Sequence, residues 1–112
     1  MKTKAGVVME GVKPEILFVC GVAHAVHDDL FHSPVVVTSL IDGKHMPNSL
    51  HYTGRAVDFR DRDLSFEQAS AFVSELSRLL VPLGFQVIRE KDHIHVEFDC
   101  GQSGFTWRKD VA

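Results

Sequence analysis

SLHYTGRAVDFR, residues 49–60, sets a histidine and an aspartate seven positions apart around a glycine, and DHIHVEF, residues 92–98, alternates two histidines with apolar side chains. Alternation is what decides the fold. In AVDFR (56–60), Val57 and Phe59 share one face while Ala56, Asp58 and Arg60 share the other, the period of a half-buried strand. Residues 85–90 and 93–98 read as a hairpin joined by Lys91-Asp92. A two-residue turn pairs Glu90 with His93, Ile88 with His95, Val87 with Val96 and Phe85 with Phe98. That register sorts the side chains: Phe85, Val87, Ile94, Val96 and Phe98 fall on one face, and Glu90, His93, His95 and Glu97 on the other.

Working outward, PEILFVCGVAHAVHDDLF (14–31) is apolar almost all round and predicts a buried or half-buried helix opened by Pro14. Ser33-Pro34 breaks the chain, and VVVTSL (35–40) is a β-branched strand. IDGKHMPNS (41–49) is a loop by its Asp-Gly, Pro and Asn. Ser65 opens a second helix through a capping-box sequence, SFEQ, with Phe72, Leu76, Leu79 and Leu80 as its apolar stripe and Gly84 as its stop. The 112 residues fit one domain spanning 1–112, and the apolar fraction of 45% with 24% charged is that of a soluble globular chain.

A net charge of −3 with interspersed signs gives no reason to expect nucleic acid. Two cysteines, Cys20 and Cys100, are too few for a disulfide framework and read as reduced. Lys2 and Lys4 precede an apolar run that Glu10, Lys13 and Glu15 break, so no signal peptide is expected, and no run approaches a membrane span. Synthesis in the cytoplasm and a monomer without membrane partners are the expectations.

Histidine and aspartate are poor fillers for a sheet. One face gathers Glu90, His93, His95 and, from a neighbouring strand, Asp58, with His51 at the end of the preceding loop. Three nitrogen and oxygen ligands with a fourth position open suit a catalytic Zn²⁺ site better than calcium or magnesium. His24, His27 and His32 read as structural, and Cys20 as a core thiol.

Ser49, His51, Gly54, Ala56 and Asp58, followed by His93-Ile94-His95, resemble the motifs of the D-alanyl-D-alanine carboxypeptidase family. That group includes VanX-like dipeptidases, murein endopeptidases, phage L-alanyl-D-glutamate endolysins and the zinc fold of Hedgehog signalling domains. The resemblance spans roughly residues 35–98. It implies an α+β fold, an antiparallel sheet with helices packed on one side, and His51, Asp58 and His95 as zinc ligands. It implies His93 as the residue assisting catalysis, with Asp92 or Glu90 as alternative bases, and Ser49 as a hydrogen-bonding support. The arginine that many relatives carry after the first strand is absent, and Lys44 or His45 stands in that loop for substrate binding. The implied activity is a zinc metallopeptidase cutting peptidoglycan stem peptides next to D-amino acids, as a phage endolysin or carboxypeptidase acting on the wall after release or within a virion. The rival is a non-catalytic zinc-containing binding or structural module of the same fold.

Overall fold

A computed structural model describes residues 1–40 and 54–98. The elements are β1 (Lys2–Thr3), α1 (Pro14–Phe31), β2 (Val36–Ser39), β3 (Ala56–Arg60), α2 (Phe66–Leu80), β4 (Phe85–Arg89) and β5 (His93–Phe98). One five-stranded sheet has the order β1-β2-β3-β5-β4. All neighbours are antiparallel except the edge pair β1–β2, which is parallel. Both helices pack on one side of the sheet, so the fold is α+β, as the resemblance implies.

The hairpin register is the predicted one: Phe85 pairs with Phe98, Val87 with Val96 and Ile88 with His95, and the Glu90 N–H donates to the His93 carbonyl at 2.8 Å. β3 pairs with the other edge of β5, setting Asp58 opposite His95 and Arg60 opposite His93. Period-two alternation therefore delivers Val57, Phe59, Ile94 and Val96 to the helix side, where all four are fully buried. Each such side chain contributes roughly 1.5–3 kcal/mol by leaving water.

On that side α1 buries Ile16, Val19, Cys20, Ala23, Val26 and His27. Ser33 orders His27, whose Nδ1 lies 2.7 Å from the Ser33 carbonyl, and its ring meets Phe72 edge-on. His27 is thus a satisfied core histidine. Cys20 is a free buried thiol, and burial pushes its pKa up to about 11.

α2 begins as its sequence dictates: the Gln68 N–H donates to Ser65 Oγ, and the Ser65 N–H donates to Gln68 Oε1. It ends earlier than expected. Pro82 lacks the amide that would continue the ladder, so the chain tightens into a 3₁₀ turn, Val81–Leu83, before Gly84 turns it at φ 101°. β1 was not anticipated at all; two exposed residues carry no period, and their pairing is with a strand more than thirty positions away.

Gly54, the glycine of the opening motif, has a packing reason. Its φ is +74°, and a Cβ built on it would lie 2.3 Å from the Gly11 carbonyl oxygen. The segment before α1 crosses here, and the Lys13 N–H donates to the Gly54 carbonyl at 3.0 Å. Any side chain at 54 would both strain the backbone and push that crossing away.

Candidate functional site

The face of the sheet turned away from the helices carries Asp58 on β3 and His93, His95 and Glu97 on β5. Asp58 and His95 are direct cross-strand partners, and both are nearly enclosed, Asp58 being 6% exposed. His95 Nδ1 lies 2.9 Å from Asp58 Oδ1, and its Nε2 lies 2.9 Å from Glu97 Oε1. Burial opposes charge on this ring, but the hydrogen bonds to Asp58 and then Glu97 outweigh it and raise the pKa to about 9. The imidazole is therefore held as a cation between two carboxylates. Thr38 Oγ1 on β2 donates to the Asp58 carbonyl at 3.3 Å, tying the strand that carries the aspartate to its other neighbour.

His93 stands next along the face. Its Nδ1 is 2.7 Å from Asp92 Oδ1, while its Nε2 lies 3.8 Å from Asp58 Oδ2 and 3.7 Å from Glu90 Oε1. Burial again opposes protonation, yet Asp92 first and then the charges of Asp58 and Glu90 raise the pKa. The hydrogen bond to His93 in turn lowers that of Asp92. Asp92 is bound to the far nitrogen of His93, so it orients that ring.

The fold thus brings together Asp58, His93, His95, Glu90 and Asp92 from the sequence reading. His51, Ser49, Lys44 and His45 lie outside the described residues. Glu97 was missed as a site residue. Its signal was legible, since it follows His95 at the same-face spacing in HIHVEF, but the resemblance transfers roles only to motif positions.

The donor chemistry fits a divalent metal in part. His95 Nδ1 and Asp58 Oδ1, 2.9 Å apart, set one imidazole nitrogen and one carboxylate oxygen side by side, the donor types such an ion takes. Among the described residues, however, no three His, Cys, Asp or Glu side chains converge to hold a metal by themselves.

The sequence model of the Hedgehog amino-terminal signalling domain matches residues 22–97, from the third turn of α1 to the end of β5. No curated relative matches the sequence. Hedgehog domains have the DD-peptidase-like, zinc-peptidase-like fold and in general bind zinc. The match bears out the superfamily and corrects what the resemblance implied about use. It points to a signalling role with receptor partners, against hydrolysis of peptidoglycan stem peptides, and the endolysin, cell-wall and bacteriophage assignments fall with that substrate. The structural phage or virion module gains no support. The physical reason is that the histidine–aspartate motif specifies the strand pair and its polar face, which peptidases and signalling domains share. Hedgehog domains are secreted, against the expectation of a cytoplasmic chain. Among the described residues, no helix is long and apolar enough to cross a membrane. With the match covering more than half of its length and both strands of the site, the chain belongs to the Hedgehog amino-terminal signalling domain family.

Proposed function

We propose that this chain is a zinc-binding recognition domain that engages a receptor outside the cell through the polar face of its sheet. The observation that carries the reading is the enclosed Asp58–His95 pair at the centre of that face, inside the region matched by the family. His51, Asp58 and His95 would hold the metal, with the loop bearing Lys44, His45 and Ser49 leading into the first of them. When bound, zinc supplies a Lewis-acidic position open to a partner's oxygen or nitrogen. Asp58 supplies the carboxylate, His95 turns Nδ1 toward it, and Glu97 holds the other ring nitrogen so that the imidazole cannot swing. The test is metal titration of the purified chain, followed by binding to a receptor ectodomain of the Hedgehog pathway with and without chelator. One zinc per chain, lost in His51→Ala and His95→Ala, and metal-dependent receptor binding are the expected results. Full zinc occupancy in His95→Ala would overturn the ligand assignment.

A second reading, a zinc metallopeptidase acting on a peptide other than the cell-wall stem, is favoured by His93. That ring sits 3.8 Å from Asp58 Oδ2, is oriented by Asp92, and is not needed as a ligand. In this reading it would hold a proton taken from water at the centre and deliver it to a leaving amine, with Glu90 or Asp92 as the alternative base. General acid–base assistance is worth about 10²–10⁴-fold. His93→Ala should then keep its zinc and lose turnover on a peptide library by that factor. No cleavage by the zinc-loaded wild type would remove this reading and leave the first intact.

A further inference from the structure

Beside the Asp58–His95 pair, on the same face, lies a cavity of about 240 Å³ lined by Lys4, Thr38, Arg60, Arg62 and Asp92. Four separate parts of the chain build it. Lys4 follows β1 and is fixed by its N–H donating to the Val37 carbonyl at 2.8 Å. Thr38 comes from β2, and its hydroxyl leads to the Asp58 carbonyl. Arg60 ends β3, two positions from Asp58 and paired across the sheet with His93; Arg62 follows it. Asp92 closes the wall from the turn before β5.

The charge around this cavity does not balance. Asp92 is engaged by His93 at 2.7 Å. Arg60 has Asp63 only at 3.9 Å, an acid 73% exposed, where water screens the pair. Among the described residues, Lys4 and Arg62 form no ion pair. Three cations thus face a space that holds one committed acid, and an oxyanion placed there would relieve their repulsion. The two guanidinium groups present the planar fork that takes both oxygens of a carboxylate. Asp92 on the wall disfavours a dianion such as sulfate or phosphate. The volume admits one acidic side chain with its peptide unit.

We infer that this cavity is a carboxylate-binding site, and that the ligand reaching the polar face is an acidic peptide segment which places one carboxylate among Lys4, Arg60 and Arg62. The inference rests on the reading of this face as a recognition surface and names the chemistry of what it recognises. The partner of the domain would accordingly bear Asp or Glu in the segment that meets the sheet.

The experiment titrates isotope-labelled protein with acetyl-AEAEA-amide, its glutamine counterpart acetyl-AQAQA-amide, acetyl-AAAAA with a free C-terminus, and sodium sulfate. Zinc content is measured on the same sample. The expected result is that the glutamate peptide shifts the amides of Lys4, Thr38, Arg60 and Arg62, that the glutamine peptide does not, and that raised salt weakens binding. Shifts from the free-terminus peptide instead would assign the carboxylate to a chain end and still support the site. Lys4→Gln and Arg62→Gln, both exposed and outside the core, should each weaken binding by about tenfold, the cost of one charge-assisted hydrogen bond. Equal shifts from the glutamine peptide, sulfate matching the glutamate peptide at the same amides, or unchanged affinity in both variants would overturn the proposal. One zinc bound with no peptide shift would sink the cavity alone. Peptide shifts in a chain that takes up no zinc would support the cavity and count against the metal reading.

Discussion

The two faces of the β3–β5 ladder are built from alternating residues of the same two strands, yet they obey opposite rules. Toward the helices, Val57, Phe59, Ile94 and Val96 are fully buried, and burial alone accounts for them. Away from the helices, Asp58, His95, His93 and Glu97 gather charge in a partly enclosed space, where taking ions from water costs more than neutral packing would. A sheet selected for stability alone would not carry the second set. One face holds the fold, and the other carries charge that stability does not ask for, which is what the proposed binding role would retain.

The comparison breaks most severely on the apolar side. Phe59→Ala removes a fully buried ring at the centre of the core and should cost about 3–5 kcal/mol, read as a lowered denaturant midpoint. Asp58→Asn, one position away on the same strand, should cost less in the presence of chelator, about 1–3 kcal/mol, because the neutral amide still offers a hydrogen-bonding oxygen to His95. Zinc titration of this second variant should show the metal lost. A larger stability loss from Asp58→Asn than from Phe59→Ala would mean that the polar face is structural and the division drawn here is wrong.

Much of the apolar face was legible in the sequence, because period-two alternation is local: AVDFR and HIHVEF each sort their residues without reference to anything else. The hairpin register followed from the two-residue turn, and the capping box at Ser65 from three positions. What escaped depended on distance. β1 owes its existence to β2, and the basic cavity draws Lys4, Arg60 and Arg62 from places that only the completed sheet brings together. The early end of α2 was readable at Pro82 and was passed over in favour of Gly84. On the polar face, Asp58, His93 and His95 are legible as neighbours, but the peptidoglycan substrate is not, since the same residues serve peptidases and signalling domains alike.

A milder perturbation separates the faces by pH. His95 has its pKa raised from 6.5 to about 9 on folding, so the native chain binds that proton more tightly than the unfolded one. The stability it contributes is complete below pH 6.5 and disappears as pH rises through 9. Metal-free protein should therefore lose denaturant resistance over that window, and His95→Gln should flatten the loss. The zinc-loaded chain should respond in the opposite sense at low pH, because metal and proton compete for the same ring nitrogen. A pH profile identical in wild type and His95→Gln would show that the ring's charge is uncoupled from folding.

The smallest effect on the fold comes from Glu97, whose substitution acts chiefly on metal binding. Glu97 Oε1 meets His95 Nε2 at 2.9 Å, the nitrogen farther from Asp58. That bond fixes which ring nitrogen faces Asp58 and so, once the ring gives up a proton, selects the tautomer presented to a metal. Outer hydrogen-bond partners of ligating histidines typically change metal affinity by about 10–100-fold when altered. Glu97→Gln can still accept through its amide oxygen, so its loss should lie near the lower end, while Glu97→Ala should reach the upper. In the metal-free chain Glu97→Ala should also cost about 1 kcal/mol, because it leaves the enclosed His95 ring one hydrogen bond short, and Glu97→Gln should cost less. Nitrogen-15 shifts of the His95 ring in the zinc-loaded chain, where the ring has lost a proton, would report the tautomer directly. A ring whose tautomer and zinc affinity are both unmoved in Glu97→Ala must be oriented by Asp58 alone, and Glu97 would then belong to the solvent and not to the site.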